Sequence, residues 1–556
     1  MDIIPDFVPT IIATCWSQLI QWFSDQVYAE LIGREPDHLL VRLHRRLGFG
    51  RLEAACAGFH HSSGPGTKPT HTVPRLVRAL LVGYLFNWSL RQLEWHIRYN
   101  LIVKWFVGYP VFAAGPDHCT LERFEVWVCL HQHRAFFDEV LRQIDDDFPD
   151  ERSKPQIGDT YALQANAAKE SLLRLIRHTC QRLLAALTAA DPAREAQVRA
   201  TLDHTALFGS SGEPSNYRLT TEERAARLQS TVLAALACAA QVRIALEQPA
   251  PLTPAARASV SLWLDCLDKI IQDDVELTRD QNGAVIQAVK RTQHAKGAYR
   301  LGSATDADTT YGVHGEDKVD LGYNVNLAAT DNFVREIRAD TGAQPDSVGI
   351  PDLIRAQKEH HDLTPSKFIY DSAAGTGKTH AQVAQASDGQ TQLVSPLIDY
   401  DKTAERFSPQ DFQLSDDGSR LTCPNGQTSI IAYHSGSGDG CTFRFLGAQC
   451  AGCPLWEQCR IQKTGSKAMR QVFISDYRRE FETALAYMQT LDFKADMKLR
   501  PIVERIIAAI VRYNGGRRAR RRGQDKADFQ AKMNATAYNT KRWIRLLFPN
   551  PQPVVT

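Results

Sequence analysis

Lys367-Phe368-Ile369-Tyr370-Asp371-Ser372-Ala373-Ala374-Gly375 is a short apolar run that stops at a carboxylate and passes into small residues. A run of this length reads as a buried strand, and helical patterns beside it make that strand one layer of a sheet. A helix is predicted from about Pro351 to His360 just before it, and a further strand from Gln392 to Leu397 just after. Upstream, Gln156-Ile157-Gly158-Asp159-Thr160-Tyr161 alternates as a strand and carries Asp159. Gly322-Tyr323-Asn324-Val325-Asn326-Leu327 and Phe333 to Ile337, joined across the turn residues Asp331 and Asn332, read as a hairpin. Strands alternating with helices in this way predict an α/β fold around a mixed sheet.

The remaining sequence is read as additions to that sheet. At 556 residues, 43% hydrophobic and 23% charged, the chain is globular, with roughly three or four domains expected. Phe7 to Phe23 is apolar but broken by Thr10, Thr14, Ser17 and Gln18, which predicts an amphipathic packing helix, with no signal peptide and no membrane span. From Asp37 to about Asp147 the pattern is helical. Leu90, Leu93, Ile97, Leu101 and Trp105 recur behind the N-cap candidate Ser89, with Arg91, Arg98 and Lys104 off the stripe. Two readings stand: a core helix with a solvated outer face, or a DNA-binding module of helix-turn-helix kind. His60 to His71 is a loop. Leu172, Ile176, Cys180, Leu183 and Leu187 share a helical face, Thr220 with Glu223 forms a capping box, and Thr253 before Pro254 starts another helix. An all-helical insertion is therefore expected from about Ala167 to Ala295.

Charge and cysteine are concentrated toward the C-terminus. Between Arg500 and Arg545, 13 Lys or Arg face 3 acids, a local net charge of +10 in a chain of +2, so the remainder sums to −8. Arg517, Arg518, Arg520, Arg521 and Arg522 follow Gly515-Gly516, and Arg512 and Lys526 flank them. Such a face suits a polyphosphate, because neutralising phosphates releases counterions. Glu504, in the first turn of a helix opened by Arg500 and Pro501, keeps one carboxylate within it. Of 12 cysteines, Cys423, Cys450, Cys453 and Cys459 supply four thiolates able to close a tetrahedral Zn²⁺ site, with Cys441 and His434 as spares. Buried free thiols are the other reading. The scattered remainder fits a reducing cytoplasm. Ser372-Ala373-Ala374-Gly375-Thr376-Gly377-Lys378-Thr379 comes within one residue of a nucleotide-binding loop, with Ser372 where glycine belongs, and keeps an NTPase acting on DNA as an alternative.

In several stretches, taken in order, the chain resembles bacterial insertion-sequence transposases with a DDE triad on an RNase H-like core. Gly158-Asp159-Thr160 followed by Ala165-Asn166-Ala167 looks like the family's first-aspartate strand, and Leu321-Gly322-Tyr323-Asn324-Val325 like its second strand. Ile369 to Gly375 is similar to its second-aspartate loop, and Arg500 with Glu504 has the spacing around its last acid. Ser89-Leu90-Arg91-Gln92-Leu93-Glu94, Trp105-Phe106-Val107-Gly108 and Pro116 to Phe124 resemble the helical domain that precedes this core. The chain departs from related transposases at Met497 and Val511, where they often carry Tyr and Lys; Arg512 stands one position along.

The resemblance implies a helical N-terminal DNA-binding domain at 1–150, the first core strand at 151–166, a helical insertion at 167–300, more core at 301–400, a Cys-rich insertion at 401–470, and C-terminal helices at 471–556. It implies Asp159, Asp371 and Glu504 as ligands of two Mg²⁺ or Mn²⁺ ions, and Arg500 among the DNA contacts. Its partners would be double-stranded DNA, both terminal inverted repeats and target, bound by a homodimer or larger assembly in the cytoplasm at the nucleoid, with no membrane. A catalytically inactive DNA-binding protein derived from such an enzyme, or a nuclease with a related core, stays open as the alternative.

Overall fold

Six strands form the central sheet of the computed structural model. Their lateral path is Thr310–His314, Lys318–Ala329, Gln156–Gln164, Lys367–Ile369, Gln392–Val394, and Val334–Thr341 also pairs with Lys318–Ala329. Setting Thr310–His314 aside and counting in chain order, the strands lie 3-2-1-4-5. The second is antiparallel to the first and third, and the fourth and fifth run parallel to the first. Residues 7–60, 69–248, 252–314, 318–398, 406–434, 436, 438–459 and 470–549 are described. Most of the expected loop at 60–71, and Asp399 with the start of the Cys-rich stretch, lie outside them.

Alternation along Gln156–Gln164 divides the two faces of the sheet. Ile157, Tyr161 and Leu163 join Val503, Ile506 and Ile510 of helix Pro501–Tyr513 and Ala527, Ala531 and Ala535 of helix Gln524–Leu547 in one apolar cluster. On the other face Phe368 and Tyr370 pack with Ile350, Leu353 and Ile354 of helix Ile350–His361 and Val383 of helix Gly377–Ala386. The last helix serves two cores. Its Phe529, Met533, Trp543 and Ile544 complete the cluster of the N-terminal helices, and Trp543 Nε1 donates to Asp147 at 2.8 Å.

Local signals place most elements, and tertiary context corrects some. Ser89 and Thr220 are both N-caps in capping boxes, and Thr253 caps Pro254–Asp274. The single helix expected through Leu90 and Trp105 is two, Leu90–Tyr99 and Leu101–Val107, because the Asn100 side chain accepts from Ile102 N and Val103 N and starts a new helix. Lys104 is buried, its Nζ donating to the Val111 carbonyl, so it is not on a solvated face. The expected packing helix is Phe7–Arg34, but Trp16, Leu19, Trp22 and Phe23 stand exposed, while Ser24 and Tyr28 are buried. The insertion is not all helical. After five helices it closes with a hairpin, Val275–Arg279 against Val285–Lys290, whose Asp280 carboxylate accepts from Asn282 N and Ala284 N. Thr221–Leu246 is long and apolar enough to cross a membrane by length and composition, yet its Val232, Ala235, Cys238, Ala239 and Val242 are buried among the insertion's other helices.

Candidate active site

Register brings the first two acids together. Gln156 pairs with Phe368 and Ile157 with Ile369, so two residues further on Asp159 stands level with Asp371. The approach is close: a Cβ on Gly158 would fall 2.6 Å from the Phe368 ring, so only glycine lets the strands meet here. Asp371 lies two residues past its strand and caps a 3-10 turn, its Oδ1 accepting from Ala373 N at 2.9 Å, which leaves Oδ2 for Arg500. Glu504 comes from the first turn of Pro501–Tyr513, fixed by the burial of Val503, Ile506 and Ile510.

One guanidinium touches all three. Arg500 Nη2 lies 3.2 Å from Asp159 Oδ2 and 3.4 Å from Asp371 Oδ2, and Nη1 lies 3.1 Å from Glu504 Oε1. Its Nε is buried without a hydrogen-bond partner. Burial pushes the Asp159 carboxyl up to about 6, helped by Asp371 and Asp346 and opposed by the Thr160 amide and Arg500. Three carboxylates thus stand around one guanidinium. Among the described residues no set of three or more His, Cys, Asp or Glu forms a ready metal cage. The three carboxylates face the guanidinium instead.

The cationic tract behind this centre divides into two groups. Gln164 N donates to Arg517 O and Ala519 N to Gln164 O, stapling the tract to the end of the Asp159 strand. Arg520 is spent on the Trp88 carbonyl, Asn87 Oδ1 and the Tyr84 ring, and Arg521 on Glu122 and the buried Glu125. Both are internal clamps to the N-terminal domain, where the sequence suggested free cations. Arg522 donates to the Asn166 carbonyl but is exposed, and Arg512, Arg517, Arg518 and Lys526 are exposed. Lys541 donates to Asn514 Oδ1, and burial lowers it to about 8; Tyr538 is held up by burial. Neither these two nor the buried Trp543 extends the cationic face. Sequence reasoning missed Asp346. Asn324 Nδ2 donates to its carboxylate at 2.7 Å and its charge helps raise Asp159, a relation no local pattern signals.

The loop that nearly fits a nucleotide-binding pattern is folded for another purpose. Ser372–Ala374 is a 3-10 turn whose Ala373 amide is taken by Asp371, and Thr376 Oγ1 takes the Thr379 amide. A Cβ on Gly375 would fall 2.0 Å from the Pro396 carbonyl, so packing accounts for that glycine. In the Cys-rich stretch Cys423, Cys450, Cys453 and Cys459 are partly buried, and burial together with the other three holds the Cys459 thiol up. His434 Nδ1 and Cys441 Sγ are 3.3 Å apart on paired strands.

Residues 422–544 match the family described as Transposase DDE domain, and residues 29–126 match Transposase domain (DUF772). Together the two matches indicate an insertion-sequence DDE transposase. No curated protein and no solved structure matches it. Transposases of this family act on DNA and depend on a divalent metal, typically Mg²⁺. The matched DDE stretch contains Glu504, the cysteines and the arginine tract, while Asp159 and Asp371 fall outside both matches. Hard carboxylate oxygens gathered around a guanidinium, as here, are the donor type that such an ion takes.

Proposed function

We propose that this transposase cuts DNA at the ends of its own element and joins the freed 3′-hydroxyl to target DNA, with Asp159, Asp371 and Glu504 as ligands of two Mg²⁺ or Mn²⁺ ions. The carrying observation is that three acids, separated by 212 and 133 residues, meet on Arg500. The 3-2-1-4-5 strand order supports an RNase H-like core, interrupted after its first strand by the helical insertion and after its fifth by the Cys-rich one.

Bound there, divalent ions would neutralise charge at the phosphate and favour an ionised attacking oxygen. The protein's share is placement. Two neighbouring strands and one helix fix the carboxylates, and Arg500, once displaced from them, is a donor aimed at the phosphate. Arg512, Arg517, Arg518, Arg522 and Lys526 track the DNA backbone. Water first, then the DNA 3′-hydroxyl, forms a bond to phosphorus as the opposite P–O bond breaks, so no covalent protein intermediate is required. The exposed face of Leu90–Tyr99, with Arg91, Trp95, Arg98 and Tyr99, supports end recognition by the N-terminal domain. Holding two ends at once calls for a homodimer or larger assembly.

Cleavage of a duplex carrying an element end tests this reading. Wild type should cut in Mg²⁺ and form joined products, and Asp371→Asn should bind without cutting. Binding without cutting by wild type would make the chain an inactive relative, and cutting without joining a nuclease. We further propose that Cys423, Cys450, Cys453 and Cys459 hold a structural Zn²⁺, which supports a stretch with a small core of its own, Phe412, Leu421, Phe443, Phe445, Val472 and Ile474. Protein purified without chelator and found free of zinc would remove that assignment.

A further inference from the structure

Thr376, Gly377 and Lys378 begin helix Gly377–Ala386 at the carboxyl end of the Asp371 strand, and they open onto a cavity of about 480 Å³. The far wall comes from the Cys-rich stretch and the helix that follows it, through Phe473, Tyr477, Arg478 and Phe481. Two kinds of chemistry meet there. Lys378 brings positive charge; the Arg478 guanidinium beside it is already held by Glu482 and by the Gln410 and Phe412 carbonyls. The amides of Gly377 and Lys378, first in their helix, have no acceptor inside it. Phe473, Tyr477 and Phe481 bring aromatic surface, with Phe473 43% exposed.

We propose that this cavity takes one unpaired nucleotide of a DNA strand, its phosphate on Lys378 and the helix N-terminus and its base against Phe473 and Phe481. The proposal rests on the DNA-transposase reading. Its volume lies in the range of small-ligand pockets. Aromatic walls flanked by cations bind single strands with little regard to sequence, because every base has a stacking face. Asp371 runs through one short turn into Thr376, so a strand passing the three acids reaches the cavity within a few nucleotides.

Charge selects a diester over a free nucleoside triphosphate. The Ala373 and Thr379 amides are already taken, which leaves donors for about one phosphate. Asp439 also lines the cavity, 3.0 Å from Lys378, and repels a highly charged chain more than a single diester. Lys378 and Asp439 are 46% and 29% exposed, so the lysine exchanges partners at little cost.

Fluorescence anisotropy with an oligothymidylate of about ten nucleotides, a blunt duplex and labelled ATP tests the assignment on wild type, Lys378→Ala and Phe473→Ala. Both side chains are about half exposed, so the variants should melt within a few degrees of wild type. Each should lose about tenfold in oligothymidylate affinity and less on the duplex. Lys378→Ala should also reduce the log–log salt slope for the single strand by about 0.7. Unchanged oligothymidylate affinity in both variants overturns the proposal. So does tight, Lys378-dependent ATP binding without oligothymidylate binding, which would give the cavity to a free nucleotide. Wild-type end cleavage, run in parallel, separates the two readings: cleavage beside unaffected variants removes the cavity alone.

Discussion

Arg500→Gln removes the cation that bridges the three acids, and its effects on metal and on DNA should be opposite in sign. The guanidinium makes contacts of 3.2, 3.4 and 3.1 Å with side chains that are 17%, 34% and 60% exposed. Solvent screens pairs of this kind to about 0.5–1 kcal/mol each, so the three together oppose an incoming ion by about 2 kcal/mol. That corresponds to roughly thirtyfold in affinity. Mn²⁺ titration of the DNA-free protein, followed by calorimetry or by the free-Mn²⁺ electron paramagnetic signal, should show Arg500→Gln binding about thirtyfold more tightly than wild type. Glu504→Gln should bind more weakly. Affinity for end DNA should fall in Arg500→Gln, since the donor meant for phosphate is gone. Equal or weaker Mn²⁺ binding by Arg500→Gln would refute the idea that the guanidinium stands in the ion's place.

The divided arginine tract gives a contrast: Arg517→Ala with Arg518→Ala should lower the log–log salt slope of duplex binding by about 1.8 with little change in stability. Arg521→Ala, which leaves the buried Glu125 with the Tyr84 hydroxyl but no cation, should cost about 3 kcal/mol in urea unfolding. His133 is pushed down by burial but raised overall to about 9 by its hydrogen bonds to Asp528 and the Cys129 carbonyl and by the charge of Asp528. A raised histidine contributes its full stabilisation below its unfolded value near 6.5 and loses it as pH climbs through about 9. Unfolding free energy should therefore fall by up to about 3 kcal/mol across that window, and His133→Gln should flatten the fall. Gly158→Ala drives a methyl into the Phe368 ring and should destabilise by about 1–3 kcal/mol, read as a lower melting temperature together with lost cleavage.

The two aspartate strands and the helix of Glu504 were legible because each is a local statement: alternation around Asp159, an apolar stop at Asp371, an acid in a helical first turn. Their meeting was not, since pairing of Gln156 with Phe368 links positions 212 residues apart. The arginine tract misled for the same reason. Five arginines in six positions look alike in sequence, and only Asn87, Glu122 and Glu125, some 400 residues upstream, decide which of them are spent inside the protein. The hairpin at Val275–Lys290 did carry a signal, Asn282-Gly283 between alternating residues. The helical periodicity on its N-terminal side obscured it.

Those clamps also bear on how end recognition reaches the chemistry. The strand bearing Asp159 ends at Gln164, which is bonded on both sides of Arg518 to the tract. Two and three residues on, Arg520 and Arg521 grip Asn87, Trp88, Glu122 and Glu125 in the domain matched to transposases at 29–126. Gly523 N then hydrogen-bonds to Asp306 and Tyr323, tying the start of the last helix to the second core strand. The Arg521–Glu125 pair and the Gly523 hydrogen bonds are part-buried polar contacts whose loss leaves a partner unsatisfied, so sliding one part past another is costly. Were the N-terminal domain to hold the DNA end, as proposed above, the duplex would be referred to the Asp159 strand through fewer than ten residues of backbone, and the exposed Arg517 and Arg518 would stand beside that path.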